Sequence, residues 1–113
     1  MYKKKKIHTL SESSLIIKEW KRVNQKIVFT NGCFDVLHYG HLKLLYSSKK
    51  LGDKLVVALN DDVSIKRLKG KQRPIHNQEQ RVFALSSIVF VDLIILFSEN
   101  TPIKIIEEIR PAV

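Results

Sequence analysis

His38 and His41 stand three residues apart, with Gly40 between them, inside the stretch "FTNGCFDVLHYGHLKLL" of residues 29–45. Imidazoles at the start of a helix sit where backbone N–H groups lack partners and the helix dipole is positive, a combination that suits an anion. An oxygen of a transferring phosphoryl or nucleotidyl group fits best, because charge grows on it in the transition state and preorganised donors oppose that charge. Gly40 removes a side chain where such a ligand would approach the backbone. Two plainer readings compete: helix-start residues, one capping and one packing, or a metal pair with Asp35 as third ligand. With 4 His and 4 Gly in 113 residues, H-x-G-H arises by chance on the order of once in two hundred such sequences. Its place at a strand-to-helix turn favours the anion site.

A second group of candidates lies in "NDDVSIKRLKGKQRPIHNQEQR", where Lys66, Arg67, Lys69, Lys71, Arg73 and Arg81 surround Gly70 and Pro74. A leaving pyrophosphate and a phosphorylated acceptor both need neutralisation, and Arg can clamp them with two bonds. Lys69, Arg73 and Arg81 are the residues expected to do so; Lys66, Arg67 and Lys71 read as solvated. Asn60 and Asp61 either touch the acceptor or cap the next helix. Lys43, one step past the motif, either reaches the phosphates or is solvated on its helix surface; Asp92 reads equally as a plain strand-start residue, and His8 and His76 as surface residues without partners.

These groups need a scaffold. "KIVFT", residues 26–30, is a short β-branched strand ending at the turn signal Asn31-Gly32, and "KLVVALN", residues 54–60, is an apolar run suited to a strand buried on both faces. "DLIILF", residues 92–97, is another. Helical patterns fill the intervals: residues 11–23 behind capping serines, residues 40–50 with Leu42, Leu44, Leu45 and Tyr46 inward, and a short start after Asp61. Two more follow, residues 77–88 behind Asn77 with Val82, Phe83, Leu85 and Ile88 inward, and "TPIKIIEEIR" with Thr101 as cap and Pro102 in first position. "PAV" opens one more strand. The order β-α-β-α-α-β-α behind a leading helix predicts an α/β fold, a Rossmann-like doubly wound parallel sheet. In such sheets ligands bind beyond the carboxyl ends of the strands, where both candidate groups fall.

Length and composition narrow the classes. The chain of 113 residues, 44% apolar and 27% charged, suits one globular domain. The expected division is a basic tail over residues 1–9, including the run Lys3–Lys6, and a domain over residues 10–113. Twenty Lys+Arg against 11 Asp+Glu give +9, which attracts nucleotides, sugar phosphates or nucleic acid. A lone Cys33 and scattered histidines give neither a disulfide framework nor zinc spacing. No apolar run is long enough for a membrane segment, so the expected location is the cytoplasm. A small basic nucleic-acid-binding domain without catalysis is the alternative of another class, although the basic segments lack interleaved aromatics and a reading helix.

"NGCFDVLHYGH" resembles the signature of the H-x-G-H, or cytidylyltransferase-like, nucleotidyltransferases. The resemblance implies a nucleotide site made by Asn31, Gly32, Cys33, Phe34, His38, Gly40 and His41, with Cys33 and Phe34 lining it and the two histidines on the phosphates. From the residues alone, Cys33 reads as a small packed side chain and Phe34 as core, while Asp35 either holds the loop through backbone N–H bonds or contacts substrate. Within the family, "RLKGKQRP" followed by "QR" looks most like the heptose 1-phosphate adenylyltransferases, which make ADP-heptose for lipopolysaccharide core. "HYGHLKLL" is equally similar to glycerol-3-phosphate cytidylyltransferases, and "IKRLKG" to FAD synthetases. The implied reaction is AMP transfer from ATP to a sugar 1-phosphate with release of pyrophosphate, with Mg2+ on the phosphates. The resemblance implies no nucleic acid or membrane as partner; members of the family are often dimers, so a homodimer is one of the states it allows, while the residues themselves do not specify the oligomeric state. Members of the family continue beyond "PAV" into a Gly-Asp loop and a Ser/Thr-rich segment, so the C-terminal part of the domain is expected to be missing.

Overall fold

The structure is a computed structural model and describes residues 6–113. Lys3, Lys4 and Lys5 lie outside the described residues. Its elements are α1 (Leu10–Arg22), β1 (Ile27–Gly32), α2 (Tyr39–Lys49), β2 (Lys54–Asn60), α3 (Asp62–Lys69), α4 (Gln78–Ser86), β3 (Leu93–Phe97) and α5 (Ile103–Ile109). The three strands form a parallel sheet in the order β1-β2-β3.

The apolar run of β2 explains its central place. Side chains alternate across a strand, so Leu55, Val57 and Leu59 enter one cluster with Leu45, Val82 and Leu85 of α2 and α4. Val56 and Ala58 enter the other, with Ile17 of α1 and Ile105 and Ile109 of α5. The helices therefore cover both faces, as the doubly wound prediction requires. Each large β2 side chain so buried contributes about 1.5–3 kcal/mol relative to exposure.

Boundaries moved where packing overrode local signals. β1 runs through Asn31-Gly32 rather than turning there, because both residues still pair with Ala58 and Leu59. Thr9, not a serine, caps α1, in a capping box with Glu12. Ser13 and Ser14 are buried instead, and Ser14 Oγ donates to Glu108 at 2.9 Å. On α2 only Leu45 is buried, while Leu42, Leu44 and Tyr46 stay exposed. Three consecutive helical residues fan over about 200°, too wide for one interface. Phe83, expected inward, is 54% exposed for the same reason beside the buried Val82. Pro102 is the N-cap of α5 and no side chain caps it.

Both edges of the sheet carry extra chain. Ala112 N–H donates to the Ile27 carbonyl and Phe29 N–H to Val113 along β1, in keeping with a further strand opening at "PAV". On the β3 side, Ile7 bridges Ile94 and Lys6 Nζ donates to the Ile88 carbonyl at 2.8 Å, so residues 6–8 pack on the sheet rather than trailing in solvent. His8, expected to lack a partner, lies 3.4 Å from Glu12. Asp92 does more than begin a strand: it accepts from Lys49 Nζ at 2.5 Å and Leu55 N–H at 2.7 Å, fastening β3 to α2 and β2. Among the described residues no helix is long and apolar enough to cross a membrane.

Candidate functional site

Beyond the carboxyl end of β1 the chain turns through Phe34, whose φ of 47° lies in the left-handed region. That turn folds the Phe34 ring back into the core, beside Gly32, where a Cβ would meet the ring at 3.0 Å. Gly32 thus serves the turn, and Phe34 is a core residue, as read from the sequence, whose ring also lines the cleft described below. The His41 ring sits 5.4 Å from that of Phe34. Cys33 Sγ points to the Asn60 side-chain oxygen at 3.7 Å, while Asn31 is exposed at the strand end.

His38 is the N-cap of α2, and its Nδ1 accepts from Gly40 N–H at 3.0 Å. This corrects the expectation for Gly40. The missing Cβ makes room for His38 itself, since a Cβ there would lie 2.8 Å from the imidazole Cε1, and the Gly40 amide is engaged by that ring instead of being open to a ligand. The bond also fixes a tautomer: with Nδ1 accepting, neutral His38 carries its proton on Nε2 as a donor. His41 stacks on His38 with ring centroids 4.0 Å apart. Its Nδ1 is shielded from water and makes no hydrogen bond of good geometry. Burial first, and then the charge of a protonated His38, push the His41 pKa below the ordinary 6.5, against a smaller opposing pull from the Val36 backbone. The capping and packing expected of helix-start residues are both present, and the two rings also converge.

The rings open on a cleft of about 510 Å³ lined by Cys33, Phe34, Asp35, Val36, His38, His41, Lys69 and Arg73. Lys69 ends α3 and Arg73 follows the Gly70 turn, so two of the three selected cations share the cleft with both imidazoles. Val36 was not anticipated; an apolar residue inside a polar loop carries no sequence signal for a lining role.

Three substrate candidates, Arg81, Asn60 and Asp61, are placed otherwise. Arg81 is 1% exposed, and donates to the carbonyls of His76 (3.0 Å), Cys33 (3.0 Å) and Asn60 (2.6 Å) and to Asp62 (2.8 Å). It is a buried clamp, because its helical face is the apolar one shared with Leu85. Asn60 is buried, its amide bonded to Ser64 and Cys33. Asp61 takes the capping alternative, accepting from Ser64 N–H at 2.9 Å and from the Ser98 hydroxyl. Burial works to raise its pKa, but those bonds and the Arg67 charge outweigh it and hold the carboxyl low. Arg67 is no free cation, for it donates to Asn100 at 2.8 Å and to the Ser98 carbonyl.

Asp35 holds a loop, though not its own. It accepts from the Ile75 and His76 amides at 2.9 Å, with Arg73 Nη1 at 3.4 Å. Burial opposes ionisation, yet the His76 and Ile75 amides and Arg73 prevail and lower its pKa from 3.8. A depressed carboxyl contributes stability fully above its unfolded pKa and loses it as pH falls through the lower folded value. Asp35→Asn should therefore flatten the loss of melting temperature between pH 5 and pH 3 on thermal denaturation; an unchanged acid limb would contradict this ion's part in it.

Comparison with known proteins adds a second line. The Cytidylyltransferase-like family model matches residues 29–113. The Bifunctional protein HldE of Campylobacter jejuni serotype O:2 is 47% identical over 107 residues, 95% of this chain and 23% of that protein. The Helicobacter pylori J99 protein of the same name is 53% identical over 96 residues, 85% of this chain and 21% of that one. The chain thus spans less than a quarter of the length of these curated relatives. Among solved structures, a lipopolysaccharide core biosynthesis protein from Thermoplasma volcanium superposes with a TM-score of 0.69 at 40% identity, over 78% of this chain and 70% of that one.

Proposed function

The chain belongs to the cytidylyltransferase-like family, and from that premise we propose that its cleft binds a nucleoside triphosphate and passes the nucleotidyl group to a phosphorylated acceptor. ATP and heptose 1-phosphate are the substrates of this reading, with ADP-heptose and pyrophosphate as products. The observation that carries it is the stacked His38–His41 pair sharing one cleft with Lys69 and Arg73. The likeness to a lipopolysaccharide core biosynthesis protein supports the choice of acceptor.

In the mechanism an anionic oxygen of the acceptor phosphate attacks the α-phosphorus in line, the bond to the bridging oxygen breaks, and pyrophosphate carries away the electron pair. The acceptor is already ionised, so no residue has to remove a proton. His38 Nε2–H and the His41 ring face the charge that builds on the phosphoryl oxygens. Lys69 and Arg73 neutralise the departing phosphates. Among the described residues no group of three His, Cys, Asp or Glu could hold a metal, and Asp35 and Asp61 are engaged in hydrogen bonds. The described residues therefore offer no three-ligand cage for magnesium; Mg2+ would arrive on the triphosphate as part of the substrate.

Pyrophosphate release from ATP and from CTP, each with heptose 1-phosphate, glycerol 3-phosphate or FMN, tests the reading. Release with ATP and heptose 1-phosphate above all other pairs is expected. Preference for CTP and glycerol 3-phosphate, or for FMN, would overturn the substrate, and release with none would overturn the reaction.

A further inference from the structure

Two loops wall the cleft: residues 33–38, with the histidine pair, and residues 70–76, with Arg73. They are joined at two levels, and both joints meet at His76. From beneath, the Arg81 guanidinium donates to the Cys33 carbonyl in the first loop and to the His76 carbonyl in the second, each at 3.0 Å. From the other side, the Asp35 carboxylate in the first loop accepts the Ile75 and His76 amides of the second at 2.9 Å. The His76 residue is thus held through its N–H by one loop's carboxylate and through its C=O by a buried cation.

The second loop needs such ties. It begins at Gly70, whose φ of 103° is open to glycine and around which a Cβ would find nothing within 4 Å. Its Arg73 is half-exposed, so its position in the cleft depends on the backbone that carries it. Only a planar, branched donor reaches carbonyls from two loops and the Asn60 strand end together; a lysine ammonium at one point cannot.

We infer that Arg81 and Asp35 form an interloop latch on His76 that sets the spacing between the imidazole pair and Arg73. Both are positioning residues: Arg81 has no exposed surface to offer a substrate, and the Asp35 oxygens face backbone amides. The catalytic consequence rests on the proposed function, but the latch itself does not. Weakening either half lets Arg73 drift from the histidines while the sheet stays intact.

Amide hydrogen exchange on the full chain, resolved by residue, tests this in Arg81→Lys and Asp35→Asn. In both variants the Ile75 and His76 amides should exchange at least about tenfold faster, with Leu55–Leu59 of β2 unchanged. Unchanged exchange at those two amides, or acceleration spread equally into β2 as a merely structural cation would give, overturns the latch. If Arg81→Lys does not fold, Asp35→Asn decides alone. Because exchange is read without substrate, a latch that opens as expected beside a chain that releases no pyrophosphate would discard the proposed function and keep the latch.

Discussion

Replacing His41 with alanine should lower turnover in pyrophosphate release about a hundredfold to a thousandfold and leave the fold in place. The size follows from what the ring opposes. Its pKa is pushed down by burial and by His38, so at neutral pH it is an uncharged group held beside Phe34 before substrate arrives, with no reorganisation needed as charge develops. A donor lost from such a site costs far more than one lost in water, where solvent replaces it. Stability falls little, by about 1–2 kcal/mol, because the ring lies at the cleft wall and outside both hydrophobic clusters. Thermal denaturation separates the two effects. Turnover within a factor of about three of the parent would remove His41 from the chemistry.

The second large effect is on affinity. Lys69→Ala combined with Arg73→Ala should raise the KM for the triphosphate roughly a hundredfold, since one hydrogen bond to a charged group contributes about 1.5–3 kcal/mol and every 1.4 kcal/mol is about tenfold. Arg73 contributes less than an unpaired arginine would, because Asp35 lies 3.4 Å away and must be partly released. Added salt should weaken triphosphate binding in the parent chain and much less in the double variant, because the screened charges are gone. An unchanged KM and an unchanged salt slope would return both cations to the solvated class.

Much of the fold was legible because β2 and β3 are apolar on both faces, a pattern that suits a covered parallel sheet when helical segments alternate with the strands. The strand-to-helix turn at His38 pointed to the place where the structure has a cleft. The roles of the cations were less legible. Arg81 and Arg73 look alike in a basic stretch, and what separates them is that Arg81 lies four residues before Leu85 on the buried stripe of α4, so it had to find partners inside. That periodicity was available and points to a clamp. The partners themselves, carbonyls of Cys33 and His76, come from chain 48 and 5 residues away and leave no mark on side-chain identity. Gly40 misled for a related reason: a glycine freeing space for a ligand and one freeing space for a neighbouring histidine are the same letter. The histidine two residues before it, in N-cap position, was the clue.

Nitrogen-15 resonances of the imidazoles report most directly on the central claim, that His38 and His41 together grip a polyphosphate. On titration with ATP the ring nitrogens of both histidines should move in one saturable step, with those of His8 and His76 still. Shifts confined to His8 and His76, or rings unmoved while ATP binds, would contradict it.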